Sequence, residues 1–199
     1  MDNSLIKKVR DQVIAASRNK GNRFSIDAWE NHISIVEDLA AKLAKVYHAD
    51  AEIVILAALL HDIASLKAQK YVKEHHIHSQ RFAAEILEQL DYPAERIGKV
   101  QHCIYYHRGL VKIPDDNIEA RIVASADAMS HIIHFLSILR LAVFSYKMPL
   151  EKTVPWSLKK IRKSWKKISL PLGRRMVGRQ YKAIFVVCEY AVKNKKRLE

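Results

Sequence analysis

Residues 53–63 read Ile-Val-Ile-Leu-Ala-Ala-Leu-Leu-His-Asp-Ile, and this stretch decides the fold. Its first eight residues are all apolar, far fewer than the roughly 18 needed to span a bilayer. Asp50 stands close before them and is a good N-cap, so the sequence predicts a helix over 51–63 that is buried on most sides. This helix ends in His61 and Asp62, two strongly hydrated side chains that are costly to bury without partners. The polar atoms of His61 and Asp62 must therefore either form hydrogen bonds within the protein or bind a ligand, and a metal ion is the obvious candidate.

The remainder of the first 150 residues also has helical periodicity. Between residues 33 and 46, apolar side chains recur at i, i+3 and i+4 spacing, which is the pattern of one buried helix face. Five glycines and five prolines among 199 residues are few, and no stretch alternates apolar and polar residues convincingly, so a turn-rich β fold is a poor fit. We therefore expect an all-α fold, a helical bundle with a basic helical extension at its C-terminus. The other predicted helices cover residues 3–18, 78–90, 94–107, 118–147 and 157–168.

Charge divides the chain into two parts. Residues 1–150 hold 19 Lys and Arg against 18 Asp and Glu, whereas residues 151–199 hold 15 against 3, a net charge of +12. All ten histidines lie in the first part. The sequence thus predicts a helical domain over 1–150 and a basic helical extension over 151–199 that packs on it. The extension has four interpretations: it binds nucleic acid through phosphate contacts, lies on anionic lipid, steers a polyanionic substrate, or serves solubility alone.

Cysteine content and the N-terminus bear on the compartment. The two cysteines, Cys103 and Cys188, are too few for a thiolate metal cluster or a disulfide framework. No basic segment followed by an apolar segment stands at the N-terminus, so no signal peptide is evident. We expect a soluble cytoplasmic protein without a transmembrane segment. A glycine-rich phosphate loop is also missing from the sequence, which excludes a P-loop nucleotide enzyme.

Two further polar residues stand in apolar helical surroundings, His32 and Asp127. Together with the pair at the end of the apolar stretch they give the order His32, His61-Asp62, Asp127. In this order the sequence resembles the HD superfamily of metal-dependent phosphohydrolases, an all-helical fold named for its His-Asp doublet. The matching segments are 32–36, 56–63 and 124–128, within a resemblance that covers roughly residues 25–147. It implies a metal ion held by His32, His61, Asp62 and Asp127.

Some branches of this superfamily add a second metal through two extra histidines, and the sequence resembles these branches most. The segment that starts at His78 resembles the one with the first extra ligand, whereas His75 and His76 precede the predicted helix and are expected in solvent. His107 and His102 compete for the second place, and His107 is preferred because it shares a helix face with apolar residues. The nearest branch includes the hydrolases of diadenosine tetraphosphate. The alternative is a mononuclear site in which His78 and His107 do not bind metal.

The resemblance and the residue types together predict the chemistry. Imidazole and carboxylate ligands without thiolate favour one or two ions of Mn²⁺, Fe²⁺, Co²⁺, Ni²⁺ or Zn²⁺. Asp62 is the expected catalytic residue, because its two carboxylate oxygens can bridge two ions. Lys67, Arg81 and Arg108 follow the ligand segments closely and are the expected contacts to substrate phosphate.

These expectations define the predicted function. We expect a phosphorylated small molecule, in particular a nucleotide, as the substrate, and metal-activated water as the group that cleaves its phosphate ester or anhydride. The alternative enzyme is a di-iron oxygenase, which uses a similar ligand set. The alternative outside enzymes is a nucleic-acid-binding module with a structural metal site.

Overall fold

The computed structural model describes residues 1–19, 28–109 and 112–194, with the side chains of 191–194 left aside. These residues form helices and no strand, as the sequence predicts. A π-helical turn (Trp29–Ile33) leads into α2, a 3₁₀ helix (Gln69–Glu74) leads into α5, and a second π-helical turn (Leu141–Ser145) follows α8. The α-helices are α1 (Asn3–Ser17), α2 (Ser34–Tyr47), α3 (Ala51–Leu60), α4 (Ile63–Lys67), α5 (His75–Glu88), α6 (Ala94–Tyr106), α7 (Ile118–Ile133), α8 (Phe135–Arg140), α9 (Leu150–Lys167) and α10 (Pro171–Asn194).

Helix α3 lies at the centre of the bundle. Every residue from Ile53 to Leu60 is buried, because α1, α2, α6 and α7 pack around the helix on different sides. The Asp50 carboxylate caps its N-terminus and accepts hydrogen bonds from the backbone N–H groups of Glu52 and Ile53, each at 3.2 Å. Such a cap satisfies backbone donors that a helix start leaves unpaired. The buried helix that the apolar run predicts is therefore present, and His61 and Asp62 follow its C-terminal end in the interior of the bundle.

Helix α7 is the second buried helix, and it ends earlier than the sequence predicts. Residues 118–147 were expected to form one helix, but the backbone leaves the helical region at His134, where φ is −104° and ψ is 51°. Helix α8 and the π-helical turn continue from there at an angle of 81° to α7. Residues beyond the bend face the cavity described below, including Ile138 and Leu141. The apolar character continues through the bend without a Gly or Pro, so periodicity alone gave no sign of it.

Helices α9 and α10 pack against α7 and against each other. The residues Ile161, Ile168 and Val177 are buried in the same hydrophobic core as α3. A Cβ atom at Gly173 would stand 2.9 Å from the Met129 sulfur, so α10 approaches α7 closely where this glycine lies. The basic segment thus reaches the core of the helical bundle and stands beside α7, the helix that contains Asp127.

Within the described ranges, no single helix combines the length and apolar character needed to cross a membrane. Among the described helices, the criterion is met only by the sharply bent pair Ile118–Ile133 and Phe135–Ser145, when its two parts are joined.

Candidate metal centre

The His61-Asp62 doublet joins α3 to α4. The His61 side chain is fully buried, and its Nδ1–H donates to the carbonyl oxygen of Ala58 at 2.7 Å. A carbonyl oxygen can only accept, so this bond fixes the proton on Nδ1. The lone pair of His61 therefore lies on Nε2, 3.6 Å from the Asp62 Oδ2 atom.

His32 reaches the same place from the π-helical turn before α2. Its Nδ1 lies 2.9 Å from the Ser130 hydroxyl, and that hydroxyl donates its own proton to the Asp127 carbonyl at 2.8 Å. Ser130 must then accept from His32, so the His32 proton is on Nδ1 and the lone pair is on Nε2. This Nε2 lies 3.1 Å from the His61 Nε2 and 3.4 Å from the Asp127 Oδ1. π-Helical turns often mark functional sites, because the extra residue re-aims a side chain.

A second pair of histidines, His75 and His107, faces the first. The His75 Nδ1–H donates to the Val72 carbonyl at 2.9 Å, and the His107 Nδ1–H donates to the Ile104 carbonyl at 2.6 Å. In the neutral form of each ring the lone pair is therefore on Nε2, and the two Nε2 atoms lie 3.1 Å apart. The His75 Nε2 is also 3.3 Å from the Oδ1 atom of Asp62, whose other oxygen faces His61. Asp62 thus lies between the two pairs of histidines.

This arrangement fits a cation. In each pair two nitrogen lone pairs point at one another across 3.1 Å, where neither can donate a hydrogen bond to the other. Ligand atoms of His32, His61 and Asp127 lie within 4.8 Å of one another, and so do those of His61, Asp62 and His107. Imidazole nitrogens together with carboxylate oxygens are the donors that divalent transition metals prefer. The donor set therefore fits divalent transition metal ions, which would replace the repulsion between lone pairs by coordination.

Protonation states agree with this fit. Burial lowers the pKa of His61 and, together with the nearby His61 ring, holds the pKa of His107 well below its usual value. Burial alone would raise the pKa of Asp62, but its electrostatic interactions with His61 and His75 outweigh burial and hold that pKa well below the usual range. The pKa of Asp127 is likewise well below its usual range, because Lys167 and His131 outweigh the effect of burial. Neutral imidazole and ionised carboxylate are the forms that bind metal.

The structure brings together five of the six predicted ligands and replaces the sixth. His32, His61, Asp62, His107 and Asp127 meet at one place, whereas the His78 ring packs on Tyr71 with ring centroids 4.7 Å apart. His75 occupies the position expected for His78. The helix starts earlier than predicted: α5 begins at His75, whose Nδ1–H donates to the Val72 carbonyl and whose Nε2 is thereby directed at Asp62. His102, the rejected alternative to His107, is exposed and lies beside Tyr106.

Lys167 is a member of the site that sequence reasoning missed. Its ammonium group lies at the end of α9, donates to the Oδ2 atom of Asp127, and donates to the His107 carbonyl at 2.9 Å. Gly109 makes room for it, since a Cβ atom at Gly109 would stand 2.9 Å from the Lys167 Cδ. Gly109 also has φ of +69°, which other residues rarely adopt. The sequence does contain an indication of this role, because the spacing of Lys160, Ser164 and Lys167 places all three on one helix face.

The metal centre forms part of the floor of a large cavity with a volume of about 1250 Å³. One wall is basic and comes largely from α9, with Arg108 added from the end of α6. Another part of the lining comes from α8 and the π-helical turn after it, which contribute the apolar side chains of Ile138, Leu141 and Phe144 beside Arg140 and two serines. Of the three predicted phosphate contacts, only Arg108 lines the cavity.

The other two predicted contacts lie elsewhere. The exposed Lys67 and Arg81 both lie against the ring of Phe82, with their charged groups 4.4 and 4.7 Å from its centroid. Arg81 also pairs with Glu85 one turn further along α5, at 3.3 Å. Their expected role as phosphate contacts is thus not supported by their positions, because proximity in sequence to a ligand does not fix the face on which a side chain lies.

Comparison with known proteins gives the family. The HD domain model matches residues 29–132. A solved structure described as a predicted HD superfamily hydrolase from an uncultured Thermotogales bacterium is similar to this chain with a TM-score of 0.60 and 18% sequence identity, and the alignment covers 97% of this chain and 92% of that one. A search of curated proteins gave no match. The family match contains four of the clustered histidines and both aspartates, and on this evidence the chain belongs to the HD domain family.

Proposed function

We propose that this protein is a metal-dependent phosphohydrolase that acts on a nucleotide. The single observation that carries the proposal is the convergence of four imidazole Nε2 atoms and two aspartate carboxylates on the floor of a cavity with a basic wall. Membership of the HD domain family supports a hydrolase of phosphate compounds in general. The substrate is inferred from the walls of the cavity.

The ligands divide into two groups, which suggests two ions. Distances between ligand atoms favour a first group of His32, His61, Asp127 and one oxygen of Asp62, and a second group of His75, His107 and the other oxygen of Asp62. His61 lies between the groups, since its ligand atom is also within 4.8 Å of those of Asp62 and His107. Asp62 would be the shared ligand, because its two oxygens face different histidines. Mn²⁺, Fe²⁺, Co²⁺, Ni²⁺ and Zn²⁺ all suit this donor set.

A bound ion of this kind lowers the pKa of coordinated water and acts as a Lewis acid on a phosphoryl oxygen. The protein's own residues prepare the site for that chemistry. Hydrogen bonds from each Nδ1–H fix the four rings, so no rotation is needed when the centre is filled. Lys167 fixes the second oxygen of Asp127 and leaves the first facing His32. Arg108, in the cavity wall, is placed to bind a phosphate oxygen.

The two walls of the cavity support a nucleotide as the substrate. Phosphate groups need cationic partners, which α9 and Arg108 supply. A flat base needs an apolar or aromatic surface, which the wall with Ile138, Leu141 and Phe144 supplies. Pockets for small molecules commonly combine a largely apolar lining with a few placed polar groups.

The test is a hydrolysis screen of the purified protein loaded in turn with Mn²⁺, Fe²⁺, Co²⁺, Ni²⁺ and Zn²⁺. Nucleoside mono-, di- and triphosphates, cyclic nucleotides and diadenosine tetraphosphate are the substrates, and anaerobic samples run beside aerobic ones. The expected result is phosphate or nucleotide release without oxygen, lost in Asp62→Ala. Oxygen consumption without hydrolysis would overturn the proposal in favour of an oxygenase, and no turnover with any metal would overturn it as well.

A further inference from the structure

Helix α9 presents one face to the cavity and another to solvent. Lys160, Lys163 and Lys167 line the cavity, at the i, i+3 and i+7 positions that share one side of a helix. Two other cations lie on the other side: Lys159 is exposed and does not line the cavity, and Arg162 pairs with Glu189 at 2.8 Å. The exposed Lys166, near the end of the helix, also borders the cavity. The basic character of α9 is therefore divided between an inner row and an outer row.

Two lysines of the inner row differ in their partners. Lys167 is paired with the carboxylate of Asp127. Lys160 has neither an ion pair nor a hydrogen bond among the residues that the structure describes, although it is partly buried in the cavity wall. Burial lowers the pKa of Lys160, and Asp127 offsets this only in part. A cation held in a wall without an anion is costly, so a ligand with negative charge would relieve that cost.

Lys160 lies near the metal centre without being part of it. His131 connects the inner face of α9 with the centre: its Nδ1 lies 3.0 Å from the Ser164 hydroxyl, and its Nε2 lies 3.7 Å from the Asp127 Oδ1. Ser164 lies one helical turn after Lys160 on the same face of α9, and Lys160, Ser164 and His131 all line the cavity. An anion bound by Lys160 would therefore lie beside an anion bound at the metal centre.

We propose that Lys160 and Lys163 form an anion subsite next to the metal centre, which binds a second phosphate of the substrate. This inference rests on the proposed function and narrows it: the preferred substrates have two or more linked phosphates, and nucleoside monophosphates are poor ones. The reasons are the unpaired cation, its place on the cavity face of α9, and a volume of about 1250 Å³ that has room for more than one phosphate.

The experiment uses two probes that cannot be hydrolysed, methylenediphosphonate and methylphosphonate. Calorimetry measures their binding to Mn²⁺-loaded wild type, Lys160→Met and Lys159→Met. Methionine keeps the length of the aliphatic stem and removes the charge. The wild type is expected to bind the diphosphonate more tightly than the monophosphonate. Lys160→Met is expected to bind the diphosphonate about 10- to 100-fold more weakly and the monophosphonate unchanged, which is the effect of one lost charge-assisted hydrogen bond.

The neighbouring residue provides the matched control. Lys159→Met makes the same change of charge on the outer face of α9 and is expected to bind both probes as the wild type does. Lys160→Arg, which keeps the charge, is expected to retain diphosphonate binding. Equal weakening of both probes in Lys160→Met, or no weakening, would overturn the inference, and so would a wild type without preference for the diphosphonate. Lys163→Met, at an exposed position, provides the same comparison if Lys160→Met does not fold.

Failure of this inference is distinct from failure of the proposed function. A wild type that hydrolyses nucleotides, with Lys160→Met binding the diphosphonate as the wild type does, contradicts the subsite alone. A wild type that hydrolyses no nucleotide with any of the metals contradicts the proposed function, whatever the binding of the two probes.

Discussion

The floor and the basic wall of the cavity differ in how their charges are balanced. On the floor, every Nδ1–H of the four histidines has an acceptor, and the unsatisfied groups are lone pairs and carboxylate oxygens. On the α9 wall, the partly buried ammonium of Lys160 has no partner among the residues that the structure describes. The floor is thus prepared for cations and the wall for anions. A metal ion would bind the lone pairs and carboxylates of the floor, and a phosphate would pair with the ammonium group of the wall.

The largest expected effect concerns the floor. Asp62→Ala removes the carboxylate between the two pairs of histidines, so both groups of ligands lose a member. We expect turnover of the best nucleotide substrate to fall more than about 1000-fold, since a metal contributes several kcal/mol to such a transition state. The rate of phosphate release at saturating Mn²⁺, compared between variant and wild type, measures this loss of turnover. A variant with more than a tenth of wild-type turnover would show that the floor is not the reactive side.

A matched pair on α5 sharpens the account of the floor. His75→Ala removes a ring whose Nε2 faces Asp62, whereas His78→Ala removes a ring that packs on Tyr71. We expect turnover to fall more than about 100-fold in His75→Ala, because a ligand is lost, and to stay within about twofold of wild type in His78→Ala. Equal losses in the two variants, or a larger loss in His78→Ala, would contradict the positions that the structure gives them.

The third prediction concerns the ion pair between Lys167 on the basic wall and Asp127 on the floor. Lys167→Met leaves all ligand atoms in place but releases the second oxygen of Asp127. Turnover is expected to fall about 10- to 100-fold while metal content stays, the size of effect typical when the partner of a ligand is lost. Gly109→Ala is expected to act in the same direction, because its Cβ would displace the Lys167 side chain. Unchanged turnover in both variants would show that α9 does not contribute to the reaction.

The smallest expected effect lies outside the cavity. Lys67→Ala and Arg81→Ala remove exposed cations that contact the Phe82 ring. We expect KM for nucleotide substrates to change by less than about twofold, because screened surface charges contribute little. Arg108→Ala, made in the cavity wall, is the comparison and is expected to raise KM about tenfold. If Lys67→Ala or Arg81→Ala raised KM as much as Arg108→Ala, the result would indicate that the substrate phosphate binds near Phe82 and not in the cavity.

Much of the floor could be predicted from sequence, because its residues are anomalous where they stand. His61-Asp62 follows eight apolar residues, and Asp127 stands among small buried ones. Such anomalies are visible without a structure, since burial of a hydrated side chain requires a partner. His75 was missed for the opposite reason. It stands among polar residues, and the 3₁₀ helix before it has no apolar periodicity, so the start of α5 was placed three residues late.

The wall was harder to predict, because it depends on packing between distant segments. Net charge showed that residues 151–199 are basic, but not which lysines face inward. That division depends on the side of α9 that packs on α7, where Leu158 and Ile161 are buried. The bend at His134 is of the same kind, since apolar residues continue through it. Patterns along the chain identify faces of helices, whereas the partner of each face is decided in three dimensions.

The most direct test of the central claim is the metal content of the purified protein, measured by elemental analysis of wild type, Asp62→Ala and His78→Ala prepared without chelator. The account predicts two transition metal ions per chain in wild type and in His78→Ala, and a loss of metal in Asp62→Ala, whose missing carboxylate serves both groups of ligands. No metal in wild type after addition of Mn²⁺, Fe²⁺, Co²⁺, Ni²⁺ or Zn²⁺, or full retention in Asp62→Ala, would contradict it.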